Sequence, residues 1–114
     1  ADDVSLLTNH SFNRPSRAIR SWIARTYTVA MTPPLAYVEA EFLHIHPFKD
    51  FNGRAVRLLL AELMQRLDLP VVPLFVEKDT EPFDAYLSAL RVYDADGSLI
   101  KLKEFWYSYR FSAA

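Results

Sequence analysis

Reactive side chains crowd into one short stretch of this chain, HPFKDFNGRAVR, residues 46–57. His46 can exchange a proton near neutral pH. Asp50 is a hard oxygen donor of the kind that holds Mg2+ together with substrate phosphates. Asn52 and Gly53 stand where a helix should begin, and a helix N-terminus offers unsatisfied N–H groups and partial positive charge to an anion. Gly53 has no Cβ, so its backbone can approach a phosphate closely or take a φ that other residues avoid. Arg54 and Arg57, three apart on the following helix, share neighbouring surface, and their planar forks suit phosphate oxygens. Singly, each residue has a plainer explanation: a C-cap for the histidine, a turn or cap for the aspartate, a solvated face for the arginines. Together they form the inventory of a nucleotide phosphate site.

The elements that hold this stretch can be read from apolar spacing and from prolines. Residues 1–13 are polar and without period, and read as a loosely held N-terminal segment. A helix should enter at Asn13 or Arg14 with Pro15 in its first turn. It carries an apolar face from Ala18, Ile19, Trp22, Ile23, Tyr27, Val29 and Ala30, with Arg14, Arg17, Arg20 and Arg25 mostly away from it. Thr32-Pro33-Pro34 predicts a break, followed by a second helix to about Ile45 on which Leu35, Val38, Phe42 and Ile45 recur at helical spacing. Pro47 ends it. From Asn52 a third helix has Val56, Leu59, Leu60, Leu63, Met64 and Leu67 over more than half its circumference, as expected of a helix central to a bundle.

Asp68 to Thr80, with Pro70 and Pro73, fits an extended connection and not a sheet. Asp79 or Thr80 should cap a helix from Glu81, with Pro82 in its first turn. Asp94-Ala95-Asp96-Gly97 reads as a turn, and Ser98 opens a last helix with Leu99, Leu102, Phe105, Trp106 and Tyr109 on one side. The expected fold is therefore all-α, a compact irregular bundle of about five helices forming one domain over residues 1–114.

Composition narrows the function classes. The 114 residues include no cysteine, which excludes a disulfide framework, Cys-ligated zinc and a thiol nucleophile. A net charge of -1 supplies no reason to expect nucleic-acid binding, and the N-terminal arginines read as a solvated face. No apolar run approaches the ~18 residues of a membrane span, so no membrane association is expected. The opening ADDVSLLTNH lacks the basic and apolar regions of a secretory signal, and the compartment stays open. His44-x-His46 with Glu41 lacks a third ligand at zinc spacing. Phe105, Trp106, Tyr107, Tyr109 and Phe111 exceed what one α-helical face can bury, leaving part of the cluster for a missing segment, a second copy or another domain.

Residues 46–57 resemble the signature of the Fic (Fic/Doc) family, commonly written HxFx(D/E)GNGRxxR. His46, Phe48, Asp50, Asn52, Gly53, Arg54 and Arg57 match, and Pro47 is usual at its place. Eight such positions coincide by chance with a probability below roughly one in ten billion per start site. The resemblance covers residues 15–70 well and the remainder loosely. It implies a mostly helical Fic fold and transfer of AMP from ATP to a Ser, Thr or Tyr hydroxyl of a target protein, with Mg2+ bound and pyrophosphate leaving. In that scheme His46 is the base, Asp50 holds Mg2+, Asn52, Gly53 and Arg54 form the phosphate loop, and Arg57 reaches the γ-phosphate. Phe48 would anchor the loop in the core.

Three departures qualify the resemblance. Phe51 replaces the first glycine of GNGR, which is costly if that position needs a positive φ. With only fourteen residues before Pro15, the family's target-aligning flap hairpin is expected to be truncated or absent. No glutamate is followed by Gly or Asn, so the inhibitory (S/T)xxxE(G/N) helix is missing and any such inhibition would come from a partner or a further segment. The alternatives are a nucleotide-binding or interaction module that has lost transfer, and a Fic variant that uses another donor or removes AMP.

Overall fold

All regular structure in the described residues, 16–46 and 50–113 of a computed structural model, is helical. Four α-helices follow one another: α1 Arg17–Ile45, α2 Asn52–Arg66, α3 Glu81–Asp96 and α4 Ile100–Phe105. A π-helical turn, Trp106–Arg110, and a 3-10 turn, Phe111–Ala113, complete the series. The all-α class read from apolar spacing and prolines is thus the observed one. Two units divide the chain, Ala1–Ala30 and Met31–Ala114.

Ser16 starts α1. Its Oγ accepts from the Ile19 N–H at 3.2 Å and its carbonyl from the Arg20 N–H at 2.9 Å, as an N-cap does. The entry expected at Asn13, Arg14 and Pro15, the N-terminal segment and the flap region fall outside the described residues. In the first unit the face read as apolar is open to solvent, with Ile19, Trp22, Ile23 and Val29 all exposed alongside Arg17, Arg20 and Arg25.

The break expected at Thr32-Pro33-Pro34 does not occur, and two predicted helices are one. Pro33 and Pro34 remove the donors that the carbonyls of Val29 and Ala30 would use and crowd those carbonyls with their rings, although a proline's fixed φ is itself helical. Thr32, Leu35 and Ala36 are buried to 2% exposure or less on the second unit's core, so burial on both sides of the prolines outweighs the lost bonds. Sequence spacing registers the cost of a proline but not this compensation.

Helix α2 contributes a narrower stripe than its composition predicts. Val56, Leu60 and Met64 are buried at i, i+4, i+8, whereas Leu58 and Leu59 are exposed. Beyond it the chain to Thr80 is irregular, as expected, with Leu69 and Val72 buried and Val71 facing out. Thr80 caps α3 by accepting from the Phe83 N–H at 3.2 Å, with Pro82 in the first turn.

The turn expected over 94–97 is instead the end of α3, closed by Gly97 at φ 75. A Cβ on Gly97 would meet nothing within 4 Å, so any penalty there is conformational alone. Gly97→Ala is expected to lower stability by about 1 kcal/mol in urea unfolding, with an unchanged slope.

The last helix leaves α geometry at Trp106, which resolves much of the surplus of aromatic residues. A π turn is wider than an α turn and presents different side chains inward. Phe105 and Trp106 are buried, Tyr109 and Phe111 half-buried, and Tyr107 alone of the five is exposed. Ring contacts at 5.1 Å for Tyr86 with Phe105 and 5.6 Å for Trp106 with Phe111 bind this turn to its surroundings.

At the centre of these contacts lies Glu39, fully buried on α1. Arg110 grips it with two forked bonds, Nη1 to Oε1 at 2.7 Å and Nη2 to Oε2 at 2.9 Å. The Tyr86 hydroxyl donates to Oε2 at 2.6 Å and the Trp106 indole to Oε1 at 2.9 Å. Four donors meet the acceptor capacity of one carboxylate, and the network joins α1, α3 and the π turn.

Candidate functional site

The candidate residues gather at the junction between α1 and α2. His46 follows the last residue of α1 in a left-handed conformation, φ 57, with its N–H on the Phe42 carbonyl at 3.0 Å. Its Nδ1 lies 3.0 Å from the Leu43 carbonyl. A carbonyl can only accept, so Nδ1 carries the proton and Nε2 is the basic nitrogen. The plain C-cap role and the role of a proton acceptor are therefore compatible in one side chain. Pro47, Phe48 and Lys49 fall outside the described residues, and with them the anchoring role expected of Phe48.

Asp50 is exposed ahead of α2. Phe51 is the N-cap residue at φ 65, ψ 24, and it supplies no capping hydrogen bond. The condition that makes phenylalanine costly at this position is thus met. The first turn of α2 carries no acidic residue, while Arg54 lies in it and Arg57 just beyond. Cations near a helix N-terminus oppose the helix dipole, an unfavourable arrangement that an incoming anion would relieve.

Gly53 is helical and not at positive φ, which removes one of the two reasons for a glycine there. What lies beside Gly53 is a side chain of its own helix: a Cβ there would lie 3.1 Å from Arg57 Nη1. The Arg57 guanidinium also lies over the ring of Phe75, 5.1 Å from its centroid, and Arg54 over that of Phe51 at 5.0 Å. A hollow of about 300 Å³ is lined by Asp50, Phe51, Arg54, Ala55 and Leu58. Phe75 was not legible as a partner, because it comes from the irregular stretch after α2 and only the fold brings it to Arg57.

Glu41 and His44, weighed above as metal ligands, are engaged otherwise. The Tyr93 hydroxyl donates to Glu41, and His44 Nδ1 lies 2.8 Å from Asp94, so both residues tie the end of α1 to α3. Among the described residues, no group of three or more His, Asp or Glu side chains could hold a metal ion by itself. Nor is any described helix long and apolar enough to cross a membrane.

The hydrogen bond to Glu41, with partial burial and the carboxylate's charge, pushes the Tyr93 phenol up to about 12. Burial and then Glu39 push Tyr86 up as well. A raised folded-state pKa contributes stability that is fully present below the unfolded value of about 10 and is lost as pH rises through the folded value. The stability difference between the wild type and Tyr93→Phe is therefore expected to shrink between pH 10 and about 12, as followed by urea unfolding at a series of pH values.

No family model and no solved structure matches the chain. Two curated proteins do. The chain is 33% identical over 78 residues to "Protein adenylyltransferase Fic" of Aedes aegypti, which covers 67% of this chain and 14% of that protein. It is 38% identical over 73 residues to "Protein adenylyltransferase fic-1" of Caenorhabditis briggsae, 62% of this chain and 14% of that one. The aligned part of the chain is thus about a seventh of the length of these relatives, and is similar to one segment of a Fic protein adenylyltransferase.

Proposed function

We propose that the His46 to Arg57 segment binds the triphosphate of ATP and transfers AMP to a Ser, Thr or Tyr hydroxyl of a target protein. One observation carries this reading. His46, its Nδ1 engaged by the Leu43 carbonyl, stands a few residues before a helix start that lacks a side-chain cap and an acidic residue but bears two arginines. The similarity to two proteins named as adenylyltransferases supports it.

In the transfer, the hydroxyl oxygen forms a bond to the α-phosphorus and the bond from that phosphorus to the departing pyrophosphate breaks. The hydroxyl proton passes to His46 Nε2. Asn52, Gly53 and Arg54 bind the inner phosphates, where donors already in place stabilise charge without reorganising. Arg57 binds the γ-phosphate. A lone exposed carboxylate fits Mg2+ bound mainly by substrate phosphates, and Asp50 would hold it. When bound, the ion neutralises charge on the α- and β-phosphates.

The positive φ of Phe51 favours a second reading, a nucleotide-binding module without transfer. Label transfer separates the two, with Mg2+, ATP labelled at the α- or the γ-phosphate, and the chain itself and a cell lysate as acceptors. Protein labelled from α-labelled ATP only is the expected result. Absence of label, with ATP binding that Arg57→Ala abolishes, overturns AMP transfer and favours the module or a variant with another donor. Absence of ATP binding refutes both.

A further inference from the structure

Both arginines of the site rest on exposed phenylalanine rings. Phe51 is 68% exposed and Phe75 65% exposed, yet each underlies one guanidinium, Arg54 and Arg57 respectively. Neither guanidinium has a carboxylate partner among the described residues. A guanidinium over an aromatic ring is held by the ring's charge distribution without spending a hydrogen bond on an acceptor, so its N–H donors stay available to an anion. It also restricts a side chain that would otherwise lose its rotamer freedom on binding.

Phe51 adds a second indication. At φ 65 a glycine or asparagine would be at ease and a phenylalanine is strained. An aromatic ring that is strained in its backbone, open to water and without a capping bond contributes little to folding; its contact with Arg54 is what distinguishes it. Arg57 Nη1 lies against Gly53, in room that a Cβ at that position would crowd.

We propose that Phe51 and Phe75 are positioning residues, which hold the Arg54 and Arg57 guanidinium groups in place with their edges free for a polyphosphate. The inference rests on the phosphate-binding reading above and extends it to two residues outside the arginine pair.

The test uses inorganic tripolyphosphate as the probe, by calorimetry, together with the NMR signals of the arginine Nε–H groups. Phe51→Leu and Phe75→Leu keep apolar bulk but remove the ring, and each is expected to weaken binding about three-fold, about ten-fold together. Phe51→Tyr and Phe75→Tyr should bind as the wild type does. The Nε–H signals of Arg54 and Arg57 should carry a ring-current shift that the matching leucine variant loses. Phe51→Gly should melt a few degrees higher, by about 4 °C, and bind more weakly, a combination that a purely structural role does not produce.

Leucine variants that bind like the wild type, while Arg54→Ala and Arg57→Ala do not, overturn the proposal and leave the phosphate reading standing. Ring-current shifts that are the same with phenylalanine and leucine also overturn it. A wild type that binds no tripolyphosphate overturns both.

Discussion

His46→Asn is expected to slow AMP transfer by about 10²- to 10⁴-fold while leaving the thermal unfolding temperature unchanged or slightly raised. Asparagine is the non-glycine residue best suited to a left-handed helix end, and the position has φ 57. The substitution therefore retains the geometry that closes α1 and removes only the imidazole. What is lost is Nε2, the proposed acceptor of the hydroxyl proton, left free because Nδ1 faces the Leu43 carbonyl. Single-turnover label transfer beside a melting curve measures both halves. An unchanged rate would remove His46 from the chemistry. A rate that falls only in step with stability would reduce it to a helix cap. No similar separation is available from His46→Ala, which disturbs the helix end as well.

Glu39→Ala is expected to lower the free energy of unfolding by about 3–5 kcal/mol, the largest stability effect of any single substitution considered. The reason is less the bonds removed than the group left behind. Arg110 is 2% exposed, and without Glu39 its charge would be buried with only the Leu74 carbonyl at 2.9 Å as a polar partner. The Tyr86 hydroxyl and the Trp106 indole lose their acceptor as well. Against a typical total stability of about 5–15 kcal/mol, this removes a large share of what holds the chain folded. Arg110→Ala should cost about as much for the converse reason. The double variant should be less damaging than the sum of the two, with a coupling of about 2 kcal/mol in urea unfolding. Additive effects would mean that the two side chains stabilise the chain independently.

The two predictions concern features of opposite legibility. The site lies within twelve consecutive residues, and the local rules of helix ends apply there: a helix stops at His46, another starts at Asn52, and the arginines follow at helical spacing. The cap of α3 at Thr80 was readable on the same grounds, as was the all-α class. Neighbours in sequence decide each of these, because capping, backbone strain and periodicity act over four or five residues.

The fate of Thr32-Pro33-Pro34, the partner of Glu39 and the ring beneath Arg57 were not readable, because each is settled by distant residues. Two prolines allow a helix to end or to continue, and the burial of Thr32, Leu35 and Ala36 decides for continuing. A glutamate on an apolar helix reads as a surface residue until the fold brings Arg110, 71 positions on, and two aromatic donors to it. A π turn at Trp106 likewise answers to packing and not to spacing. Local chemistry thus determined where the candidate residues cluster and which helix ends frame them. Tertiary packing decided how those helices are held and which ring lies beneath Arg57, since burial and long-range pairing exist only once the chain is folded.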